Sequence, residues 1–292
     1  MGDIEATFRS FVTCLNEKRW NDLPQYATLP FTKDGEQFTP QSYAAWAGSV
    51  GEFELTVDSV TVDREANQLA STVLVKFKPE GAVMGLEPTG SAISFVEQHI
   101  NWFSGGKLSQ TLILGDRDEI IRRLSDPQSS STTPDLLIRG EWGRVSGKTL
   151  STLELKQTYR AYIDCINAQT LDADSLAKFC HLRVVHNAKT LSVLEYGLLI
   201  QEAFTAIPDI VFELHSVVAD ERRQRVAARI EFRGTPVGPM AGAKANGRSV
   251  EFCEHVTYQL MDGKIARVWS IVDWVSYRRQ LSEKEESFWE EK

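Results

Sequence analysis

A basic excess is missing from this chain: 32 Lys and Arg stand against 40 Asp and Glu, a formal net charge of −8 over 292 residues. Nucleic acid is therefore not the expected partner, since binding it needs a basic footprint. Long apolar runs are missing too, and none approaches the roughly 18 residues that suggest a membrane span. The opening MGDIEATFRSF lacks the charged-then-apolar order of a secretion signal, so the cytosol is the expected location. Cysteine is scarce. The four cysteines sit at wide spacing, in neither a disulfide framework nor a metal pattern. Cys14 and Cys165 read as small buried thiols at matching helical positions. His181 and His186 are five apart, the wrong spacing for two ligands on one helical face, and no metal site is expected.

What the chain does have is a long repeat. Residues 89–124 and 246–281 align without a gap at a constant offset of 157. Gly90 meets Gly247, Phe95 meets Phe252, Glu97 meets Glu254, Gly106 meets Gly263, Lys107 meets Lys264, Asp116 meets Asp273 and Leu124 meets Leu281. SVTVD at 59–63 sits over SVVAD at 216–220, and FVTCLN at 11–16 sits over YIDCIN at 162–167. Solenoid units run roughly 20–50 residues, so this period implies two complete domains. The expected division is 1–124, a linker or arm at 125–150, and 151–292.

Each half has one internal order. It opens with an amphipathic helix, marked by Phe8, Phe11, Val12 and Leu15 in the first copy and by Leu155, Tyr159, Tyr162, Ile163 and Ile166 in the second. A short helix is expected around Leu171–Phe179, and a longer one from Val193 to Ala206, stopped ahead of Pro208. The apolar period then switches to two, predicting an antiparallel meander of about four strands. Asp262-Gly263 and Gly105-Gly106 mark tight hairpins. The fold class is α+β, helices on a curved antiparallel sheet. Ser, Thr and Pro make 125–135 a loop or linker; LLIRGEWGRV after it is an extra strand or an arm, and the tail EKEESFWEEK a solvated helix end.

The second half resembles the SnoaL-like polyketide cyclases of the nuclear transport factor 2 and ketosteroid isomerase-like superfamily. Gly234-Thr235-Pro236-Val237-Gly238, Asn246-Gly247-Arg248, Phe252-Cys253-Glu254-His255, Asp262-Gly263-Lys264-Ile265, Trp269 and Asp273 carry the resemblance. It covers 151–282 and, more weakly, 4–124. It implies two tandem cone-shaped, cystatin-like α+β barrels. Single-domain relatives pair through their sheets, so the two halves are expected to pack as an intrachain pseudo-dimer and the chain to be a monomer. The implied chemistry needs no metal and no organic cofactor, and acts on an apolar small molecule. The superfamily also holds plain binding domains, and fold alone does not fix function.

The resemblance makes Asp273 a general acid/base at the mouth of an apolar pocket. It reads equally as the N-cap of the helix that follows, as does Asp116 in the first copy. Glu254 stands out more, a carboxylate in mid-strand on the face of Phe252, Val256 and Tyr258, where it must be paired or functional. Arg229 on the neighbouring strand is its candidate partner; its counterpart in the first copy is Thr72, although Glu97 persists there. On a regular strand His255 points the other way, into a pocket or an interface. His186 and Asn187 precede the third helix and replace Lys33 and Asp34; His186 is a candidate second acid or base, or a surface histidine. Tyr162, Tyr258 and Trp269 read as core residues or as a wall for a flat polycyclic substrate.

The halves differ where chemistry would sit. His186, Arg229, His255, Tyr258 and Trp269 face Lys33, Thr72, Gln98, Asn101 and Leu112, and the first half lacks four residues near 47–52. The second half is the expected active copy and the first a degenerate partner. Two classes remain open: a cofactor-independent cyclase, isomerase or dehydratase acting on a polyketide or terpenoid-like molecule, or a non-catalytic binding or scaffold protein. An enzyme should show an open pocket with a titrating carboxylate, a scaffold a pocket filled by side chains.

Overall fold

The computed structural model describes residues 3–126, 136–138 and 147–282. Helix α1 (Ile4–Asn16) is capped by Asp3 and buries Phe8, Phe11, Val12 and Leu15. After the short α2 (Leu23–Tyr26) come β1 (Ala27–Lys33), β2 (Glu36–Phe38), α3 (Pro40–Val50), β3 (Gly51–Asp63), β4 (Gln68–Pro79), β5 (Ile93–Ser104), β6 (Lys107–Gly115) and α4 (Arg117–Ser125). The second half repeats this order as α5 (Thr152–Asn167), α6 (Ala173–Leu176), β7 (Cys180–His186), β8 (Lys189–Ser192), α7 (Val193–Ala206), β9 (Val211–Asp220), β10 (Arg225–Gly234), β11 (Val250–Met261), β12 (Lys264–Val272) and α8 (Trp274–Leu281).

The two sheets have the same strand order, β2-β1-β6-β5-β4-β3 and β8-β7-β12-β11-β10-β9. Each has six strands where the alternation predicts four. The additional pair is a short hairpin, β1–β2 or β7–β8, whose first strand joins the last meander strand in parallel. Its residues lie between two helices and alternate weakly, which hides them from a periodicity reading. The expected helix around Leu171–Phe179 shortens to α6 because the chain enters β7 at Cys180. Both hairpins form as expected: Asp262 and Gly263, like Gly105 and Gly106, take the positive φ that such turns demand.

In each half the helices cover one face of the sheet and close a cone. The opposite faces of the two sheets meet. Apolar side chains fill the contact, with Ala70, Ile100, Val218 and Ala227 in one cluster and Val96, Leu114, Cys253 and Ile271 in another. Leu136 and Leu137 join the second cluster, so this part of the 125–150 segment is wedged between the halves; residues 139–146 and the tail from 283 lie outside the described residues.

The contact obeys the repeat. Asp63 and Asp220 occupy equivalent places. Asp220 Oδ2 accepts from the Val62 amide (2.9 Å) and Asp63 Oδ2 accepts from the Ala219 amide (3.5 Å), the reciprocal pattern of a two-fold interface. Lys156 (2.5 Å from Asp63) and the Arg223–Glu5 pair (3.0 Å) also cross between halves. Gln98 Nε2 donates to the Trp269 carbonyl (3.1 Å), and His255 Nδ1 donates to the Gln98 carbonyl (2.8 Å).

Candidate functional site

Because side chains alternate along a strand, β11 has two destinies. Glu254, Val256 and Tyr258 point into the C-terminal cone; Cys253, His255 and Thr257 point at the other half. The cone holds a cavity of ≈1460 Å³ reaching toward α4 of the first half. Glu254 lines it. Its carboxylate accepts a hydrogen bond from the Ser270 hydroxyl on β12. Among the described residues no cationic side chain pairs with it. Burial pushes its carboxyl up to about 7, against a smaller downward pull from Ser270. Such a group holds or releases a proton near neutrality.

Ser270 is itself held. Asn187, in left-handed backbone conformation after β7, accepts from the Ser270 amide (2.8 Å) and donates to the Ser270 carbonyl (3.2 Å). Asparagine is among the residues that tolerate that conformation. Asn187 thus fixes the residue that fixes Glu254. His186, one position earlier, lines the cavity with its ring 5.9 Å from that of Tyr196. Burial lowers its pKa, and Lys189 adds to the effect, so it favours the neutral imidazole.

Phenols make up much of the remaining polar surface. Tyr162 from α5 and Tyr196 from α7 share a hydrogen bond of 2.8 Å between their hydroxyls. The Tyr258 ring lies 5.0 Å from that of Tyr159 and 6.1 Å from that of Tyr162. Burial raises the pKa of all four, keeping them protonated. Tyr162, Tyr196 and Tyr258 line the cavity and put their hydroxyls in a low-dielectric space, where a hydrogen bond to developing negative charge is strong.

Four of the expected site residues lie outside the cavity. Asp273 caps α8, accepting from the Ser276 amide (3.1 Å) and hydroxyl (2.7 Å), and faces Arg117 of the first half at 3.4 Å. It is not among the residues that line the cavity, although its neighbours Val272 and Trp274 are. His255 is buried against the other sheet, with Arg229 donating to its Nε2 (3.2 Å). Arg229 also donates to Glu231 (3.1 Å); Ile230, not Arg229, lies beside Glu254 in the ladder, so Arg229 is not the partner of Glu254. Trp269 is fully buried in the inter-sheet contact, under the Arg267 guanidinium at 4.6 Å. Glu254, His186, Asn187, Tyr162 and Tyr258 are brought together.

Sequence reasoning missed Tyr196 and Ser270. One signal was available for Tyr196: Tyr43 holds the same place in α3, three residues after an equivalent helix start. Among the described residues no three His, Cys, Asp or Glu side chains gather as metal ligands, and no helix is long and apolar enough to cross a membrane.

A family model described as SnoaL-like polyketide cyclase matches residues 156–281. A SnoaL-like polyketide cyclase from Agrobacterium tumefaciens is 38% identical, aligned over 46% of this chain and 100% of its own, with a TM-score of 0.41. TsrD from Streptomyces laurentii is 23% identical over 46% of this chain and 98% of its own, with a TM-score of 0.41. IdmH from Streptomyces antibioticus is 20% identical over 44% and 97%, with a TM-score of 0.39. No curated protein matches the chain.

Proposed function

The chain belongs to the SnoaL-like polyketide cyclase family, and from that premise we propose that its C-terminal cone, within 151–292, is a cofactor-independent acid/base site with Glu254 as the proton-handling group. The substrate class is a polyketide or terpenoid-like small molecule with an acidic C–H beside a carbonyl. The observation that carries this reading is a carboxylate inside an open cavity, raised to about 7 and held by one hydroxyl. A scaffold that fills its pocket has no use for it.

The chemistry follows from the groups present. Ionised Glu254 takes the proton from the carbon next to the carbonyl, and the C–H electron pair moves into the enolate. Within the hydrogen-bonded Tyr162–Tyr196 pair one hydroxyl donates to the other, and the one that accepts donates its own proton to the enolate oxygen, while neutral His186 supplies another polar group on the same wall. If the enolate carbon attacks a second carbonyl, a C–C bond closes a ring, and the resulting alkoxide takes the proton back from Glu254. Returning the proton to a different carbon gives an isomerase instead. Asn187 is a positioning residue, acting through Ser270.

Exchange of α-protons for deuterium tests the proton-abstraction step before the natural substrate is known. The probe is 2-acetyl-1-tetralone, a bicyclic 1,3-diketone, followed by mass spectrometry in deuterated buffer. The wild-type chain should accelerate exchange, with a rate rising through pH 7 as Glu254 ionises. Glu254→Gln should lose roughly 100-fold or more, the usual size of a general-base contribution. Tyr162→Phe should retain binding and lose roughly tenfold in rate, about one hydrogen bond to developing charge. No acceleration by the wild type, or equal acceleration by Glu254→Gln, sinks the proposal and leaves a binding protein.

A further inference from the structure

The N-terminal cone is not filled either. Its interior holds a cavity of ≈200 Å³, walled largely by aromatic side chains including Phe8, Phe11 and Trp46. Polar groups enter it from one sheet face: Glu97, His99 and Asn101 on β5 and Thr111 on β6. Glu97 and His99 satisfy each other at 2.9 Å. Asn101 and Thr111 are register partners on neighbouring strands, 0% and 4% exposed. Asn101 Nδ2 donates to the Leu69 carbonyl (3.0 Å), which fixes the amide's orientation and leaves Oδ1 without a partner. The Thr111 hydroxyl has none. A lone unsatisfied buried group is costly; two adjacent ones lining an apolar cavity describe the other half of a hydrogen-bonding ligand.

This chemistry is peculiar to the first copy. At the equivalent places the C-terminal cone has Val256 for His99, Tyr258 for Asn101 and Val268 for Thr111. Phe8 and Phe11 in turn replace Tyr159 and Tyr162. The copy has exchanged one polar arrangement for another, which mere decay into a structural partner does not require.

We propose that the N-terminal cone is a second small-molecule site that takes a neutral single-ring phenol, its hydroxyl seated between Asn101 and Thr111. A hydroxyl donates to Asn101 Oδ1 and accepts from Thr111 Oγ1, completing both. The ring lies among Phe8, Phe11 and Trp46. Size limits the ligand: a cavity of about 150 Å³ takes benzene, so this one holds a ring with a small substituent and rejects a polycycle. Charge limits it as well. Lys33, at the rim, is engaged with Asp34 (3.2 Å) and lies over the Trp46 ring (4.6 Å), while the Glu97 carboxylate opposes an anion. The proposal is independent of the reading given to the C-terminal cone.

Calorimetric titration of the full chain with phenol and with toluene, its isostere lacking the hydroxyl, is the test. Phenol should bind one site roughly tenfold tighter than toluene, the size of one well-made buried hydrogen bond. Asn101→Leu and Thr111→Val should each erase that preference, whereas Glu254→Gln should leave phenol binding in place. If Asn101→Leu fails to fold, the phenol-to-toluene comparison on the unaltered chain still decides. Toluene binding as well as phenol, no saturable phenol binding at millimolar concentration, or phenol binding removed by Glu254→Gln would overturn the proposal. The first two outcomes would leave the cavity to water or to nothing polar.

Discussion

The Ser270 hydroxyl donates to the Glu254 carboxylate from the adjacent strand, inside the C-terminal cavity. Both the amide and the carbonyl of Ser270 are bound by Asn187. A hydrogen bond to the charged form favours ionisation. Ser270→Ala should therefore push the Glu254 pKa further up, and Asn187→Ala should shift it in the same direction by loosening Ser270. The carboxyl stretch in infrared difference spectra of wild type against Glu254→Gln reports the titration. A downward shift in Ser270→Ala would contradict the assignment.

Glu254 also makes stability fall with rising pH. Its folded pKa of about 7 exceeds its ordinary 4.5, so the folded state binds more protons between those values. The stabilisation is complete below pH 4.5 and is lost as pH rises through 7, a change of about 3 kcal/mol. Glu254→Gln lacks this term. Its stability relative to wild type, measured by urea unfolding, should improve by about that amount between pH 4 and pH 8.

His255 acts in the opposite sense. Burial, despite the hydrogen bond to Gln98 and with Arg229 adding to the effect, holds its pKa at about 3 against an ordinary 6.5. The unfolded state then binds more protons between those values, so stability is complete above pH 6.5 and drains as pH falls toward 3. By pH 5 the loss is about 2 kcal/mol. His255→Gln should flatten that acid limb in urea titrations. In the wild type the two residues partly offset each other between pH 4.5 and 6.5, and single variants should unmask each slope.

The inter-sheet contact is made within one chain, and a second copy should have no sheet face to claim. Size-exclusion chromatography with light scattering should give a monomer; a stable dimer would count against the intrachain pairing as the completed interface. Lys156→Met, which leaves the buried Asp63 without its cation, should destabilise the chain by about 2 kcal/mol, less than the loss of a fully buried pair because Lys156 is partly exposed.

Much of the architecture could be read from the chain because it depends on local rules. The Val193–Ala206 helix, the Asp262-Gly263 turn and the alternation of β11 each follow from nearby residues. Alternation also separated Glu254 from His255. It could not tell which face was the cone's interior, because both faces of β11 are buried, one by helices and one by the other sheet. That is why Trp269, Arg229 and His255 looked like site residues. Asp273 was ambiguous for a different reason: a capping aspartate and a catalytic one occupy the same sequence position. Ser270 became visible only when folding brought separate elements to one cavity, whereas Tyr196 had its repeat counterpart Tyr43 as a signal.

Gln98 and His255 hold the same position in the two copies, and each meets the other across the interface. In an assembly of two identical chains that position would face itself, and any mutation there would be imposed on both sides at once. Here one gene encodes both sides, so a change on one side can be answered by a different change on the other. The same freedom reaches the cone interiors, where Asn101 and Tyr258 have parted company. Fusion has turned a symmetry constraint into two separately heritable pockets, each able to drift toward its own chemistry while the shared interface keeps the pair folded.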